Sequence, residues 1–369
     1  MPRFDRYILS QLLVLFGFFA LVLVGVYWVN RAVGLFDQLI GDGQSAMVFL
    51  EFSLLTLPNV IKLVLPFAAF TAAVYGTNRL MSESELVVMQ ATGFSAFRMA
   101  RPVVAFGICV ALMLMVLGHV LVPTSRAMLS EQRAQMSENV TARYLTQGTF
   151  THPAKGITLY IRDISVSGEL LDLFLADDRS AADRTTYTAG RALFVRGDNG
   201  PKLIMFDGMA EVLDRKSNRL SVTRFADFTY DLGSLLTNVA KLRRTLPELS
   251  TADLLWPTQA LLEETRETRG ALLYEAHNRF AEPFLAVAVS LIGFAALLLG
   301  GFSRFGLWKQ VSVAIVLLVV VQATATVAAN FGVRGDMGWL LAYVAPILGL
   351  AIGGALLWWA QRPRRVMAT

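Results

Sequence analysis

Three histidines, one cysteine and 28 carboxylate side chains are the groups in this 369-residue chain that could bind a metal or act as catalysts. His119, His152 and His277 are far apart in the sequence and fall in an apolar run, a strand-like region and a polar helical region. A shared metal site needs converging ligands, so we expect solvated or packed histidines. Cys109 lies in an apolar run, which predicts a buried thiol and no intramolecular disulfide.

The sequence lacks the motifs of common phosphate-binding and nucleophilic sites. There is no G-x-x-x-x-G-K-[ST] loop, so we do not expect this chain to hydrolyse ATP through a P-loop of its own. Neither an H-E-x-x-H metal motif nor a nucleophile elbow occurs. Catalytic groups can converge from distant positions, so these absences disfavour an enzyme and do not rule one out. We expect a non-catalytic chain that binds no metal or cofactor of its own.

The composition is typical of a membrane protein. Hydrophobic residues make up 55% of the chain and charged residues 17%, which is too apolar for an ordinary soluble protein. Five apolar runs are long enough to span a bilayer, and a sixth, about Phe52–Asn78, is interrupted by two prolines and a lysine. The first run is too long for a signal peptide, so six transmembrane helices are expected. The five runs are Ile8–Val29, Val103–Val122, Pro283–Phe302, Val311–Phe331 and Gly338–Ala360.

Basic residues are distributed unevenly between the connections. If the N-terminus is cytoplasmic, ten basic residues lie on the cytoplasmic side, whereas the short outer loops contain only Arg31 and Arg334. This positive-inside pattern predicts that both termini are cytoplasmic. The net charge of +5 therefore reflects topology, and no basic, aromatic-rich face indicates nucleic-acid binding.

Four cations are candidate binding residues. Lys62 lies inside the interrupted run Phe52–Asn78, the second in chain order, where an ionised side chain is costly and usually contacts protein or water. Its position near the outer third of the span would also allow it to snorkel to the interface. Arg31 ends the first run, and interfacial anchoring is its alternative role. Arg126 and Arg133 follow the third run, seven residues apart and therefore on one helix face, for which simple solvation is the alternative.

Residues 123–279 form an outer insertion with the composition of a soluble domain. A polar helical stretch, 125–145, continues the third span. The period then changes, because Ile157, Leu159 and Ile161 alternate with more polar side chains as in a half-buried strand. Similar runs follow at LLDLFLADD, TYTAGRALFV, PKLIMFDGMAEVL and RLSVTRFADFTYDL, which predicts an antiparallel sandwich or jelly roll. The predicted divisions of the chain are 1–122, 123–279 and 280–369.

A short helix is predicted between the second and third spans, in the stretch SESELVVMQATGFS. Ser82 and Glu85 have the spacing of a capping box, Glu83 favours the positive end of the helix dipole, and Gly93 can end the helix in a left-handed conformation. About ten residues are too few for a stable isolated helix, so it needs a surface to pack on. Lipid head groups are one such surface. A groove on a cytoplasmic partner is the other, with Leu86 and Met89 as its apolar contacts.

The stretch SESELVVMQATGFS, together with the N-terminal RYILSQLL and the later YLTQGTF, resembles the lipopolysaccharide export permease family LptF and LptG. The resemblance covers essentially the whole chain: three spans, a β-jellyroll insertion and three more spans. It implies a membrane α-helical protein of the bacterial inner membrane with an inserted all-β, periplasmic, jellyroll-like domain. The segments QGTFTHPAKGITLYIRDISVSGELLDLFLAD and RGALLYEAHNRF are more similar to LptF, whereas the short helix is common to both members.

The resemblance also implies partners and a mechanism. Family members form the membrane part of an ABC exporter, with a cytoplasmic LptB-like ATPase dimer that binds ATP and Mg²⁺, a paralogous LptG-like permease, a single-span LptC-like jellyroll protein and a periplasmic bridge. Lipopolysaccharide would be extracted from the outer leaflet and passed to the bridge through the jellyroll. The predicted short helix would be the coupling helix, formed by Ser82, Glu83, Glu85, Leu86, Met89, Gln90 and Gly93.

The same resemblance gives the candidate cations a role. Lipid A carries phosphates and acyl chains, so a cavity needs apolar walls and a few cations near its outer rim. Arg31, Lys62, Arg126 and Arg133 would contact the phosphates. Ile157, Leu159 and Ile161 would line a slot for acyl chains in the β-domain, and an ordinary sandwich core is the alternative.

A second class of function fits the same architecture. A membrane-anchored envelope scaffold or sensor would bind a ligand with its outer β-domain and pass a signal through the cytoplasmic helix. Six spans favour the transporter, because a scaffold needs only one or two. The two hypotheses differ in whether a nucleotide-hydrolysing partner is required.

Overall fold

A computed structural model describes residues 3–41, 46–143, 147–154, 156–165, 168–180, 182–197, 200–215, 217–231, 244–300 and 307–362. They divide into two compact units. The first, here called the membrane unit, extends to Leu129 and resumes at Arg244, and the second, the sheet unit, is Ser130–Arg243. Residues 244–279 therefore belong to the membrane unit, although hydropathy assigned them to the insertion.

Among the described residues, six helices are long and apolar enough to span a bilayer, which confirms the predicted spans. They are accompanied by short helices and by one π-helical turn, here called the π-turn. In chain order the helical elements are α1 (Arg3–Gly41), α2 (Ala46–Ser82), α3 (Glu85–Ala91), α4 (Ala96–Val116), the π-turn (Leu117–Leu121), α5 (Val122–Arg143), a 3-10 turn (Leu246–Glu248), α6 (Thr251–Leu255), α7 (Gln259–Thr265), α8 (Arg269–Leu298), α9 (Trp308–Gly332), a second 3-10 turn (Gly338–Tyr343) and α10 (Val344–Ala360).

Helix α8 is the centre of the membrane unit. Of the residues in its most apolar stretch, 89% are buried within the chain, compared with 11% in α1 and 17% in α9. Small residues allow its neighbours to approach closely, as is usual where helices pack within a membrane. A Cβ atom on Gly107 of α4 would lie only 2.7 Å from Cα of Val287. Helices α1 and α9 consequently keep large faces for lipid or for another protein.

Arg279 fastens the segment before α8 to the membrane unit. Its side chain is only 2% exposed, and its guanidinium donates hydrogen bonds to the carbonyls of Leu249, at 2.9 Å, and Leu246, at 3.1 Å. Leu254 and Leu272 pack together in the adjacent apolar cluster. This packing explains why residues 244–279 group with the helices, since their apolar side chains are buried there.

Within its described residues, the sheet unit contains six antiparallel strands in consecutive order, which confirms the inserted β-domain. Strand β1 escaped prediction because Pro153 interrupts its pattern, and proline is tolerated at a sheet edge. The other five lie where alternation predicted them. The strands are β1 (Phe150–Ala154), β2 (Ile157–Ile164), β3 (Leu170–Asp177), β4 (Asp183–Gly197), β5 (Gly200–Asp214) and β6 (Arg219–Asp231).

This sheet is folded over on itself. The hydroxyl of Tyr230 on β6 donates to Asp177 on β3 at 2.8 Å, although three strand intervals would separate these strands by about 14 Å in a flat sheet. Asp172 and Asp207 have positive φ angles of 48° and 53°, and strand pairing skips each of them while the register on either side stays the same, as expected where strands bend. The expected jelly roll is therefore correct in having two layers. Its topology differs, because the described strands form a meander and lack the Greek-key crossover.

Asp177 makes the folding of the sheet unit sensitive to acid. Arg179 and Tyr230 donate to its carboxylate at 2.6 and 2.8 Å, and the arginine is the main reason that its pKa falls from 3.8 to about 2. Burial is the main reason that the pKa of Tyr230 is raised. A carboxyl group whose pKa is lower in the folded state than in the unfolded state stabilises the folded state at pH values above the unfolded pKa. This stabilisation is lost as the pH falls through the folded pKa.

We expect ionised Asp177 to contribute about 2 kcal/mol at neutral pH, lost progressively between about pH 4 and pH 2. Thermal unfolding of the detergent-solubilised chain, followed by the β-sheet signal, should therefore show weaker acid sensitivity in Asp177→Asn. The control is Asp172→Asn, which removes an exposed carboxylate paired with Arg162. Equal acid sensitivity in wild type and Asp177→Asn would contradict this assignment.

Candidate functional site

The stretch between α2 and α4 contains the predicted short helix. Helix α3 has seven residues, begins at Glu85 after Ser84 in a left-handed conformation, and has no side-chain cap. The predicted capping box is wrong, because Ser82 is still part of α2 and its hydroxyl donates to the carbonyl of Asn78 at 2.9 Å. The predicted left-handed end is confirmed: Gly93 has φ 88°, and its amide donates to the carbonyl of Gln90.

Contacts from α1 and α4 fix α3 in place. Arg98 donates to both carboxylate oxygens of Asp5, at 2.9 and 3.1 Å, and Asp5 is only 4% exposed. The hydroxyl of Tyr7 donates to Glu85 at 3.1 Å. Phe4 and Phe94 meet edge to face with centroids 6.2 Å apart. We call these contacts, together with the burial of Leu86, the α3 clamp.

Leu86 is the apolar centre of the α3 clamp. Its side chain is fully buried and belongs to one cluster with Ile8, Leu12 and Met99. The prediction that Leu86 contacts a partner directly is therefore wrong, because the chain's own helices already cover it. Met89 is partly buried against the same cluster. Burial of these side chains holds a helix that would be too short to form alone.

Other apolar side chains of this stretch are exposed. Val88 is 58% exposed, Phe94 36% and Phe97 47%, and Gln90 lies exposed among them. We call Val88, Gln90, Phe94 and Phe97 the α3 surface. Glu83, also exposed, is paired with Arg79 at 2.8 Å. Sequence periodicity could not distinguish the exposed Val88 and Gln90 from the buried Leu86, because a seven-residue helix has only two turns.

Lys62 of α2 forms an ion pair with Glu282 of α8. The ammonium and the carboxylate are 2.7 Å apart, with the side chains 18% and 25% exposed. This confirms the expectation that the cation contacts protein. Glu282 was missed because it immediately precedes the fourth apolar run, and the requirement of an intramembrane cation for a counter-ion was the signal that could have found it.

Comparison with known proteins places the chain in a family. The family model described as lipopolysaccharide export system permease LptF/LptG matches residues 6–359. The chain belongs to this family. Together with the six apolar helices, membership makes it a multi-pass permease of the inner membrane.

Relatives of this LptF/LptG-family permease include both members. Uncharacterized protein RP871 of Rickettsia prowazekii is 22% identical over 361 residues, which are 97% of this chain and 99% of that protein. LptG of Escherichia coli K12 is 32% identical over 134 residues, 36% of either chain. LptF of the same strain is 23% identical over 214 residues, 58% of this chain and 56% of that protein. The assignment to the LptF member stays a prediction.

The remaining candidate cations of this LptF/LptG-family permease lie on two helices, Arg31 on α1 and both Arg126 and Arg133 on α5. Arg31 is exposed on α1. Arg126, half-buried, belongs to the membrane unit, whereas Arg133 belongs to the sheet unit and is exposed. The boundary between the two units therefore falls between Arg126 and Arg133. Contact of these residues with lipid phosphate stays a prediction.

The predicted acyl-chain residues lie in the interior of the folded sheet. Ile157 and Ile161 are 1% exposed and Leu159 is 4% exposed, and they share one buried cluster with Leu203 and Met205. In this structure their surroundings are those of a packed core. A role in acyl binding would require this core to open.

The histidines and the cysteine have separate surroundings. His119 lies on the π-turn and His152 on β1. His277 of α8 stacks on Trp339 with centroids 4.2 Å apart. The expectation of a buried Cys109 is wrong, because the thiol is exposed on α4. Apolar runs of membrane helices keep exposed faces, since lipid is the solvent there.

We expect Leu86→Ala to lower the stability of this LptF/LptG-family permease by about 2 to 5 kcal/mol, because it leaves a cavity in the α3 clamp. Val88→Ala on the same helix should change it by less than about 0.5 kcal/mol, since that side chain is exposed. Thermal unfolding of both variants in the same detergent provides the measurement. Equal destabilisation by the two substitutions would contradict the clamp geometry.

Proposed function

We propose that this chain is the permease subunit of an ABC exporter that takes lipopolysaccharide from the inner membrane and passes it to a periplasmic bridge. A separate cytoplasmic ATPase dimer, which binds ATP and Mg²⁺, would drive the transfer. The observation that carries the proposal is the α3 surface, which presents exposed apolar side chains on α3, on the turn after it and on the first turn of α4, next to the contacts of the α3 clamp. A surface of this kind fits a groove on a partner.

The positive-inside pattern supports the orientation that the proposal requires. Both termini, and with them α3, would face the cytoplasm, and the sheet unit would lie in the periplasm. Movement of a docked ATPase would then reach α1 through the hydrogen bond between Tyr7 and Glu85, and α4 through the ion pair between Asp5 and Arg98, which joins α1 to α4. Clamped contacts of this kind allow α3 and the ends of both helices to move as one body.

The exposed faces of α1 and α9 support the presence of a second membrane chain. These are the least buried spans, and a paralogous LptG-like permease packed near them would enclose a cavity for the lipid. Arg31 and Lys62 would contribute cations to that cavity, with Arg126 and Arg133 further along the chain. Among the described strands, β6 pairs with β5 alone, and its other edge is where an LptC-like jellyroll protein or the bridge would add a strand.

Substitution of an exposed residue of the α3 surface tests the proposed function. Val88→Arg places a charge in the proposed interface and should abolish co-purification of an ATPase with this chain, while the unfolding temperature stays within about 2 °C of wild type. The measurement is affinity purification of the chain with its native neighbours in mild detergent, followed by an assay of ATP hydrolysis.

Val222→Arg is the matched control. It introduces the same charge at an equally exposed valine, 54% against 58%, on β6 of the sheet unit, and it should leave the ATPase bound. If no ATPase accompanies the folded wild-type chain, the exporter hypothesis loses its energy source, and a membrane-anchored scaffold or sensor becomes the better account.

A further inference from the structure

The Lys62–Glu282 ion pair lies at the end of the membrane unit remote from α3. Lys62 precedes the last residue of α2, Ser82, by twenty residues, a distance of about 30 Å along a helix. The hydrocarbon core of a bilayer is about 30 Å thick. Under the proposed orientation, the pair therefore lies near the boundary of the outer leaflet, at the depth of lipid phosphates.

The pair is neither sealed nor fully solvated. Side-chain exposures of 18% and 25% leave a path for an incoming group. Because the rest of both side chains is buried, much of the water that would otherwise screen the two charges is excluded. An ammonium has three N–H donors, so Lys62 can accept a new anionic partner before it releases the old one. Exchange of partners therefore never leaves Lys62 without a counter-ion, and the carboxylate that it releases, 25% exposed, can be hydrated.

The π-turn places a second polar group in the same neighbourhood. The stem of Lys62 lies beside Gly118, where a Cβ atom would be 4.0 Å from Cε of the lysine. The ring of the next residue, His119, contacts Phe280 with centroids 4.6 Å apart, and Phe280 is two residues from Glu282. Such π-turns inside helices frequently mark functional sites.

His119 has an unused acceptor. Its Nδ1 lies 2.9 Å from the carbonyl of Met115 and must donate to it, which leaves Nε2 as an acceptor. Among the residues that the structure describes, this buried Nε2 has no hydrogen-bond partner. An unpaired buried acceptor costs free energy until a donor arrives. The hydroxyl groups of a phosphorylated sugar are donors of this kind, and because Nε2 is buried they could reach it only if the site opens.

We propose that Glu282 is the resident counter-ion of a binding site for the phosphate of a phosphorylated lipid head group. Lys62 exchanges the carboxylate of Glu282 for the phosphate when the lipid enters, and Glu282 takes Lys62 back when the lipid leaves. Competition from Glu282 keeps binding weak enough for release. This inference rests on the proposed lipid transport, and it assigns Glu282 a role opposite to that of Lys62.

The test is equilibrium binding of bis-phosphorylated lipid A to the purified permease, with its co-purifying chains, in nanodiscs. Glu282→Gln should tighten binding and slow release by about tenfold, because the competing carboxylate is gone. Lys62→Gln should weaken binding by about tenfold, because the cation is gone. Dephosphorylated lipid A should show neither change.

A purely structural ion pair would give a different pattern. It would make both single substitutions weaken binding together with thermal stability, and that result would overturn the inference. The charge-swapped double variant K62E/E282K keeps an ion pair between α2 and α8, so a change in its lipid binding cannot be caused by loss of that ion pair from the fold. The control variants Arg244→Gln and Glu264→Gln break an exposed ion pair, also 2.7 Å long, in the same unit, and they should leave lipid binding unchanged.

Failure of the inference and failure of the proposed function are distinguishable. If the wild type binds lipid A while Glu282→Gln and Lys62→Gln shift binding in the same direction, lipopolysaccharide transport stands and the counter-ion role falls. If phosphatidylglycerol, and not lipid A, shows the opposite-signed shifts, the phosphate site stands and the lipopolysaccharide substrate falls.

Discussion

The ion pair between Asp5 and Arg98 is the contact on which the geometry of the α3 surface depends. It joins the first turn of α1 to the first turn of α4, 93 residues later in the chain, through two hydrogen bonds to one carboxylate. Asp5 is almost completely buried, so loss of its partner would leave a charge without compensation. Helix α3 is too short to be stable alone, and it takes its position from these neighbours and from the burial of Leu86.

Charged contacts connect the spans of the membrane unit at two depths about 30 Å apart along α2. At one depth the α3 clamp ties the α3 surface to α1 and α4. At the other, Lys62 and Glu282 tie α2 to the central helix α8. Apolar packing fills the space between them. Polar contacts of this kind fix the register of helices that packing alone would allow to slide, and they can also exchange partners, which a packed leucine cannot do.

The sequence predicted the features that local physics determines. Spans follow from bilayer thickness, the left-handed end of α3 from Gly93, and strands β2–β6 from alternation. Prediction from the sequence failed where contacts between residues far apart in the chain determine the structure. The capping box was lost because Ser82 remains in α2 and Glu85 is bonded to Tyr7, 78 residues away. Leu86 and Val88 are both apolar, and only the neighbouring helices determine which is buried. The fold in the sheet depends on two aspartates with positive φ, for which alternation gives no signal.

A photo-cross-linker in place of Val88 tests whether the α3 surface is the site at which an ATPase drives this permease. In intact cells, irradiation should join this position to an ATP-binding protein, whereas the same cross-linker in place of Val222 should not capture that protein. Capture of lipid alone at position 88, in a chain that is folded and accompanied by its other neighbours, would contradict the account.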